Sequence, residues 1–170
     1  MMYFEWKEIG SRVDVTEFDC GDKELNDFLK FEAVTYKEES FSNTIVIFDK
    51  DDTILGYVTT CTDSIRLNEK EKRAASKDRF SLSEFPSIKV ARLAVAKQKQ
   101  GHGHGRALLY WTINRVKEHA TALGARFVTV DALPDSVGFY KKHLFIENRH
   151  ARHTKPNRKS VSMRLDMHRI

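Results

Sequence analysis

Residues 88–106 read I-K-V-A-R-L-A-V-A-K-Q-K-Q-G-H-G-H-G-R, the most informative stretch of the chain. Its first eight residues are mostly aliphatic, which predicts a strand. From Arg106 apolar residues recur at helical spacing as far as Gly124, which predicts a helix of about 18 residues. A strand that enters a helix through alternating glycines directs several backbone N–H groups to one point, and phosphate is their natural ligand.

Several families bind phosphate with a glycine-rich loop of this kind, and the spacing of the glycines and their neighbours distinguishes these families. The Walker loop requires G-K-S or G-K-T, which is absent, and the dinucleotide fingerprint fails because Arg106 stands at its third glycine. The remaining pattern is Q-x-x-G-x-G, formed by Gln100, Gly103 and Gly105. With L-A-V before it and R-A-L-L after it, this pattern resembles the GNAT superfamily of acetyl-CoA-dependent N-acetyltransferases.

The resemblance covers nearly the whole chain and implies a single GNAT domain over residues 1–170. The GNAT fold is an α/β fold with a mixed, mostly antiparallel sheet of about six or seven strands, about four helices and a splayed central strand pair. Acetyl-CoA is the implied cofactor. The residues implied in binding it are Leu93, Ala94 and Val95 for the pantetheine arm, Gln100, Gly101, His102, Gly103, His104, Gly105 and Arg106 for the pyrophosphate, and Ser136 from the opposite side.

A second match lies downstream, in V-D-A-L-P-D-S-V-G-F-Y-K-K-H-L-F at residues 130–145. It resembles the strand, short helix and F-Y pair of the same family, and Tyr140 falls on the family's tyrosine. In many members that hydroxyl protonates the coenzyme A thiolate as it leaves, a role suited to a phenol with an ordinary pKa near 10. Leu144 departs from the pattern, because most members have glycine there.

The rest of the chain alternates strand and helix signals. Asp22 can cap a helix that continues to Lys37, and D-K-D-D separates two strands of a hairpin. The predicted strands are residues 3–9, 43–48, 53–62, 88–95, 126–130, 144–147 and 160–167, with a short helix at 135–143 and an exposed helix or loop at 66–80.

Composition and charge restrict the class of protein. The 170 residues include 41% hydrophobic and 31% charged residues, as in a globular domain, and no apolar run approaches a membrane span. The start, M-M-Y-F-E-W-K-E-I, lacks the basic and apolar regions of a secretory signal, so a cytoplasmic location is expected. Cys20 and Cys61 form no C-x-x-C pair, so reduced thiols are expected. Residues 1–63 carry a net charge of −9 and residues 64–170 carry +14. Such asymmetry is typical of a protein that binds a partner with acidic groups. It can also mean that acidic and basic faces neutralise each other within the fold.

The predicted fourth strand restricts the acceptor amine. Between Ser87 and Val95 the only ionisable residues are Lys89 and Arg92, so a lysine substrate with a pKa near 10.4 would lack an obvious base. A terminal α-amine, with a pKa near 8, depends less on a general base to remove its proton, and an amine beside an ester depends on one still less. His102 and His104 could serve as bases, although they are better placed to flank the phosphates, and no metal site is expected.

A narrower resemblance points in the same direction. F-D-C-G-D-K-E-L-N-D-F-L-K at residues 18–30 is similar to the signature of toxin-type GNAT proteins. Those toxins acetylate the α-amine of charged tRNA without a dedicated general base, dimerise, and are usually neutralised by a ribbon-helix-helix antitoxin. The resemblance therefore implies a charged tRNA substrate, a homodimer and such an antitoxin. The basic residues that could meet RNA phosphates are Arg149, Arg152, Lys155, Arg158 and Lys159.

Two alternatives stay open at this point. One is a housekeeping or resistance GNAT enzyme that acts on a small-molecule or peptide amine, and an acidic substrate pocket would favour it. The other is a non-catalytic module that binds acyl-CoA or nucleic acid, against which Tyr140 argues. The basic C-terminal segment could also be an ordinary solvated surface.

Overall fold

A computed structural model describes residues 4–76 and 80–170. The chain divides into two compact units. The N-terminal unit comprises Met1–Cys61 and Ala91–Arg115, and the C-terminal unit comprises Thr62–Val90 and Val116–Ile170.

The sheet of the N-terminal unit begins with three antiparallel strands. These are β1 (Glu5–Glu8), β2 (Asn43–Phe48) and β3 (Ile54–Ile65). The predicted hairpin is confirmed, and the carboxylate of Asp49 closes its turn by accepting hydrogen bonds from the amides of Asp51 and Thr53. β1 is shorter than predicted, with Tyr3 outside the described residues.

The first helical segment is not the uninterrupted helix that periodicity predicts. The carboxylate of Asp22 caps it as expected, accepting from the amide of Leu25 at 3.1 Å. A π-helical turn then separates the two α-helical parts, and the amide of Ala33 bonds to the carbonyl of Phe28. The wider turn fits the five-residue spacing between Phe28 and Ala33, which are both buried. The parts are α1 (Lys23–Asp27), the π turn (Phe28–Glu32) and α2 (Ala33–Glu38).

A glycine permits the close approach of β3 to the next strand, β4 (Phe85–Val95), in the N-terminal unit. A Cβ atom on Gly56 would lie 2.4 Å from the carbonyl oxygen of Ala94, which excludes any larger residue. Past the end of β4, the amide of Ala96 donates to the carbonyl of Leu55 at 2.9 Å. β4 leads through the glycine loop to α4 (His104–Leu123), which ends at Gly124 with φ +71° as predicted.

The C-terminal unit contains the rest of the sheet. Its further elements are α3 (Glu69–Ala75), β5 (Phe127–Ala132), α5 (Val137–Lys142), β6 (Ile146–Glu147) and β7 (Val161–Asp166). β4 pairs in parallel with β5 from Ser87↔Phe127 to Val90↔Val130, and β7 pairs antiparallel with both β5 and β6.

Within residues 66–80, predicted as an exposed helix or loop, the structure has α3, while Lys77–Arg79 lie outside the described residues. The seven strands follow the order β1-β2-β3-β4-β5-β7-β6, and together with four helical segments they agree with the expected GNAT architecture. No helix in the described part of the chain is long and apolar enough to cross a bilayer.

Candidate active site

The glycine loop of the N-terminal unit has the backbone conformation that glycine favours. Gly101 and Gly103 have φ values of +79° and +86°, in the left-handed region that L side chains rarely adopt. No heavy atom lies within 4 Å of the position that a Cβ would occupy at either residue. The main chain is therefore open on the side from which a phosphate oxygen would approach.

The loop also leaves backbone donors available. In the ranges 4–76 and 80–170, the amides of residues 101–106 make no backbone hydrogen bond, and the first bond of α4 runs from Ala107 to the carbonyl of Gly103. α4 has 20 residues, so its positive end adds to the attraction for an anion. Arg106 is exposed, with its guanidinium 5.4 Å from the ring of Tyr110. The donors, the open main chain and the cation fit a pyrophosphate.

Gln100 fixes the start of the loop. Its side-chain amide donates to the carbonyl oxygens of Cys20 at 2.9 Å and Val95 at 3.0 Å. The amide of Lys97 donates to the carbonyl of Asp19 at 2.8 Å. The F-D-C-G segment and the glycine loop, which the sequence presents as separate motifs, are thus bonded to each other.

The two loop histidines differ in environment. The Nδ1 atom of His102 lies 2.8 Å from the carbonyl of Gln100, in an exposed position. His104 is only 8% exposed, with the ring of Phe4 edge-on at 5.8 Å. Burial, with His102 and Lys99 nearby, holds the pKa of His104 below its usual value of 6.5. His104 is therefore neutral at pH 7, and its Nδ1 has no hydrogen-bond partner among the described residues.

Tyr140 lies on α5 in the C-terminal unit and is 6% exposed. The rings of Phe139 and Phe145 meet it edge-on, with centroids 5.1 and 5.4 Å away. Burial raises the pKa of Tyr140 to about 12, so its hydroxyl keeps its proton at neutral pH. Ser136 closes the 3-10 turn before α5 by donating its amide hydrogen to the carbonyl of Leu133 at 2.8 Å.

Leu144, which stands where most members of the family have glycine, has the left-handed backbone conformation that favours glycine. Its φ is +68°, although its side chain is mostly exposed and gains little from packing. This residue turns the chain so that the amide of Phe145 reaches the carbonyl of Tyr140 at 3.1 Å. The turn after α5 is therefore retained without glycine.

Neither ionisable residue of β4 is placed as a base. In the C-terminal unit the ammonium of Lys89 lies 2.6 Å from the carboxylate of Asp131. In the N-terminal unit the guanidinium of Arg92 lies over the ring of Phe28, 3.6 Å from its centroid.

Two carboxylates on the strands beside β4 in the C-terminal unit were not predicted as site residues from the sequence. Asp63 on β3 accepts a hydrogen bond from the buried hydroxyl of Thr129 at 2.7 Å, and Asp131 on β5 pairs with Lys89. Thr129 lies opposite Lys89 in the parallel register. The alternation V-T-V-D along β5 could have indicated that Thr129 and Asp131 share a face. Among the described residues, no three His, Cys, Asp or Glu side chains are grouped to hold a metal ion.

The predicted phosphate-contacting residues all lie in the C-terminal unit, between β6 and β7. Arg152 and Arg158 pair with carboxylates, at 2.6 Å from Glu84 and 2.8 Å from Asp131. Lys155 and Lys159 make no side-chain hydrogen bond or ion pair with a described residue, and the backbone amide of Arg149 donates to Glu71 at 2.8 Å.

Comparison with known proteins identifies the family. The model of the acetyltransferase (GNAT) domain matches residues 16–167. The chain belongs to the GNAT acetyltransferase family. A tRNA-acetylating toxin of Mycobacterium tuberculosis is 28% identical over 141 residues, which cover 83% of this chain and 82% of the relative.

Solved structures confirm the GNAT fold. AtaT complexed with acetyl-methionyl-tRNAfMet matches with a TM-score of 0.82 and 23% identity, covering 98% of this chain and 96% of that one. A mutant of AtaT bound to the C-terminus of the antitoxin AtaR and acetyl-CoA matches with a TM-score of 0.75 and 22% identity, covering 98% and 94%.

Proposed function

We propose that this acetyltransferase moves the acetyl group of acetyl-CoA to the α-amine of aminoacyl-tRNA, as a toxin-type GNAT enzyme. The observation that carries the proposal is the bonding of the F-D-C-G segment to the glycine loop through Gln100. The first motif resembles the toxin branch and the second is the family's cofactor loop. The similarity to a tRNA-acetylating toxin over most of both chains supports the same reading.

The chain's own residues would hold acetyl-CoA in defined ways. The free amides of residues 101–106 and the charge of Arg106 would bind the pyrophosphate. The main chain of Leu93–Val95 would pair with the pantetheine arm, and Ser136 would add a contact. The bound cofactor supplies a thioester whose acyl carbon accepts the amine. Backbone donors near that carbon would stabilise the charge that develops on its oxygen.

The ionisable groups of β4 favour an amine of low pKa. Lys89 is paired with Asp131, and Arg92 is stacked on an aromatic ring, so neither can take a proton from an ammonium substrate. The α-amine of an aminoacyl ester has a pKa below the value near 8 of an ordinary terminal amine, so a substantial fraction is neutral at physiological pH and it needs no strong base. A lysine side chain would remain protonated at such a site.

Tyr140 would provide the proton at the end of the reaction. Its buried hydroxyl remains protonated because its pKa is raised to about 12. Such a phenol would donate a hydrogen bond to the departing sulfur and deliver its proton there as the carbon–sulfur bond breaks. The tyrosinate would then recover a proton from solvent, to which the acetylated amine loses one. The aromatic ring contacts of Phe139 and Phe145 hold the side chain in place.

Charged tRNA would bind through the basic segment of the C-terminal unit. The charge asymmetry of the sequence and the five basic residues from Arg149 to Lys159 suit a phosphate backbone. Aromatic side chains are few in that segment, so contacts to phosphates would dominate over base recognition. The named complex of AtaT with acetyl-methionyl-tRNAfMet supports a tRNA partner.

An antitoxin partner and a homodimer complete the proposal. The antitoxin AtaR in the matched AtaT complex supports an antitoxin partner. The resemblance to toxin-type proteins is the basis for proposing a ribbon-helix-helix antitoxin and a homodimer. We further propose that residues 1–170 act as one catalytic domain in the cytoplasm. Analytical ultracentrifugation would test the dimer, and a monomer at micromolar concentration would contradict it.

The test is acetyl-CoA consumption with charged tRNA, deacylated tRNA and a panel of free amines. We expect release of free coenzyme A thiol with charged tRNA alone. Consumption with small amines alone would instead support a housekeeping or resistance enzyme. Binding of acetyl-CoA without turnover on any acceptor would support a non-catalytic module.

A further inference from the structure

The segment of residues 149–159, here called the basic strap, is held to the C-terminal unit by carboxylates. Its guanidinium groups at Arg152 and Arg158 lie 2.6 Å from Glu84 and 2.8 Å from Asp131. The imidazole of His153 accepts a hydrogen bond from the amide of Arg66 at 3.2 Å. Two of the cations expected to meet RNA phosphates therefore already have anionic partners in the free protein.

Both carboxylates have other partners that do not belong to the strap. Glu84 also accepts from the hydroxyl of Ser64 at 2.6 Å and from Arg66 at 3.2 Å, and these hydrogen bonds help to hold its pKa below the usual range. Asp131 is also bonded to Lys89 at 2.6 Å. Departure of an arginine would leave neither carboxylate unpaired, so the main penalty for breaking such a pair is absent.

The pairs are also accessible to solvent, in contrast to the anchor at the start of the strap. The side chains of Arg152 and Glu84 are 56% and 36% exposed, and those of Arg158 and Asp131 are 30% and 31% exposed. Ion pairs open to solvent contribute little to stability.

The amide of Arg149 donates a hydrogen bond to Glu71, which also forms an ion pair with Arg164. The side chains of Arg164 and Glu71 are only 6% and 8% exposed. The strap thus has a buried anchor at Arg149 and two solvent-accessible ion pairs, at Arg152 and Arg158, whose carboxylates can be exchanged.

We propose that the ion pairs of Arg152 with Glu84 and of Arg158 with Asp131 form a latch on the basic strap, and that RNA phosphates open this latch by displacing the two carboxylates. On RNA binding, the guanidinium groups of Arg152 and Arg158 exchange Glu84 and Asp131 for backbone phosphates. The ammonium groups of Lys155 and Lys159, which have no anionic partner among the described residues, make the first contacts. The exchange breaks no covalent bond and leaves Asp131 paired with Lys89. This inference rests on the proposed function, because it assumes an RNA partner.

The test is binding of deacylated bulk tRNA, followed by fluorescence anisotropy at fixed ionic strength. Glu84→Gln and Asp131→Asn remove the competing charge but keep the side-chain shape, so each should tighten binding about three- to tenfold. Asp135→Asn is the matched control, because Asp135 is exposed, lies in the same unit, and forms no ion pair with a described residue. Its effect measures the change in net charge alone.

A double-mutant cycle makes the test specific to the latch. In an Arg158→Gln background, Asp131→Asn should tighten tRNA binding no more than Asp135→Asn does, because the arginine that it releases is gone. Thermal unfolding of each variant checks that the fold is retained, and only folded variants enter the cycle. Lys155→Gln should weaken binding equally with and without Asp131→Asn.

Several results would overturn the latch. They are gains no larger than that of Asp135→Asn, weaker binding by the Glu84 and Asp131 variants, and absence of tRNA binding by both the wild type and a variant that combines Glu84→Gln with Asp131→Asn. Deacylated tRNA has no acceptor amine, so these outcomes are independent of catalysis. Acetyl transfer to charged tRNA, assayed on the same samples, separately decides the proposed function.

Discussion

The side-chain amide of Gln100 donates hydrogen bonds to the carbonyl oxygens of both Cys20 and Val95, at 2.9 and 3.0 Å. Cys20 lies 80 positions earlier in the chain, and Val95 ends β4. One polar side chain therefore fixes the start of the glycine loop relative to two other parts of the N-terminal unit. This bridge needs a side chain with at least two donor hydrogens, which the amide of Gln100 supplies.

Replacing Gln100 by Leu should weaken acetyl-CoA binding about tenfold, because both carbonyl groups lose their donor and the loop loses its anchor. Gln100→Arg is the control, since a guanidinium can donate hydrogen bonds to both carbonyl oxygens. Isothermal titration calorimetry would measure the two dissociation constants. Equal affinity for the Leu variant and the wild type would show that Gln100 does not order the loop.

Replacing Tyr140 by Phe should lower kcat about 100-fold and leave the acetyl-CoA dissociation constant within about twofold. The variant removes only the hydroxyl and keeps the ring contacts with Phe139 and Phe145. Tyr110→Phe, at an exposed tyrosine of α4, serves as the control. Because the pKa of Tyr140 is about 12, its ionisation should cause no fall in kcat from pH 7 to pH 10. Equal losses of turnover and affinity would argue against a proton donor.

Leu144→Gly should stabilise the protein by about 0.5–1 kcal/mol. The left-handed conformation of Leu144 costs about 1–2 kcal/mol, and the extra chain entropy of glycine offsets part of the gain. Leu133→Gly is the matched control: Leu133 is also exposed but has φ −62°, so the same change should destabilise. Urea unfolding would measure both free energies. A loss of stability at Leu144 would mean that its side chain contributes more than its conformation costs.

Glu71→Gln should cost roughly 2–3 kcal/mol at pH 7, because it leaves the buried guanidinium of Arg164 without its anion. Burial alone would raise the pKa of Glu71, but hydrogen bonds from the amides of Asn68 and Arg149 and the charge of Arg164 hold it below 4.5. Because the pKa of Glu71 is lower in the folded state than in the unfolded state, its ionised carboxylate stabilises the fold. That stabilisation is complete above the unfolded-state pKa and is lost as the pH falls through the folded-state pKa.

The stability difference between wild type and Glu71→Gln should therefore shrink as the pH is lowered below about 4.5. Guanidinium unfolding at several pH values would test this. A difference that stays constant from pH 7 to pH 3 would contradict the assigned ion pair.

Motifs that depend on local geometry could be predicted from the sequence. The strand, glycine turn and helix around Gln100–Arg106 follow from residue types and spacing, and the Asp22 cap and the β2–β3 hairpin follow in the same way. The π turn at Phe28 could not, because helical periodicity tolerates either turn and only burial against the core selects the wider one.

The long-range ion pairs could not be predicted from the sequence either, because they depend on the tertiary fold. Nothing in the spacing of Arg158 and Asp131, or of Lys89 and Asp131, indicates that the fold brings them within 3 Å. Those ion pairs depend on the parallel pairing of β4 with β5 and on the path of the chain between β6 and β7. They change the basic segment from a freely charged surface into one that is partly neutralised.

The most direct measurement is the location of the transferred acetyl group by mass spectrometry. Charged tRNA is incubated with the protein and isotopically labelled acetyl-CoA, then digested to release aminoacyl-adenosine. We predict label on the α-amine of the amino acid, no product with deacylated tRNA, and a product yield with Tyr140→Phe that is reduced about 100-fold. Unmodified aminoacyl-adenosine, with label found on small amines or lysine side chains instead, would contradict the proposed function.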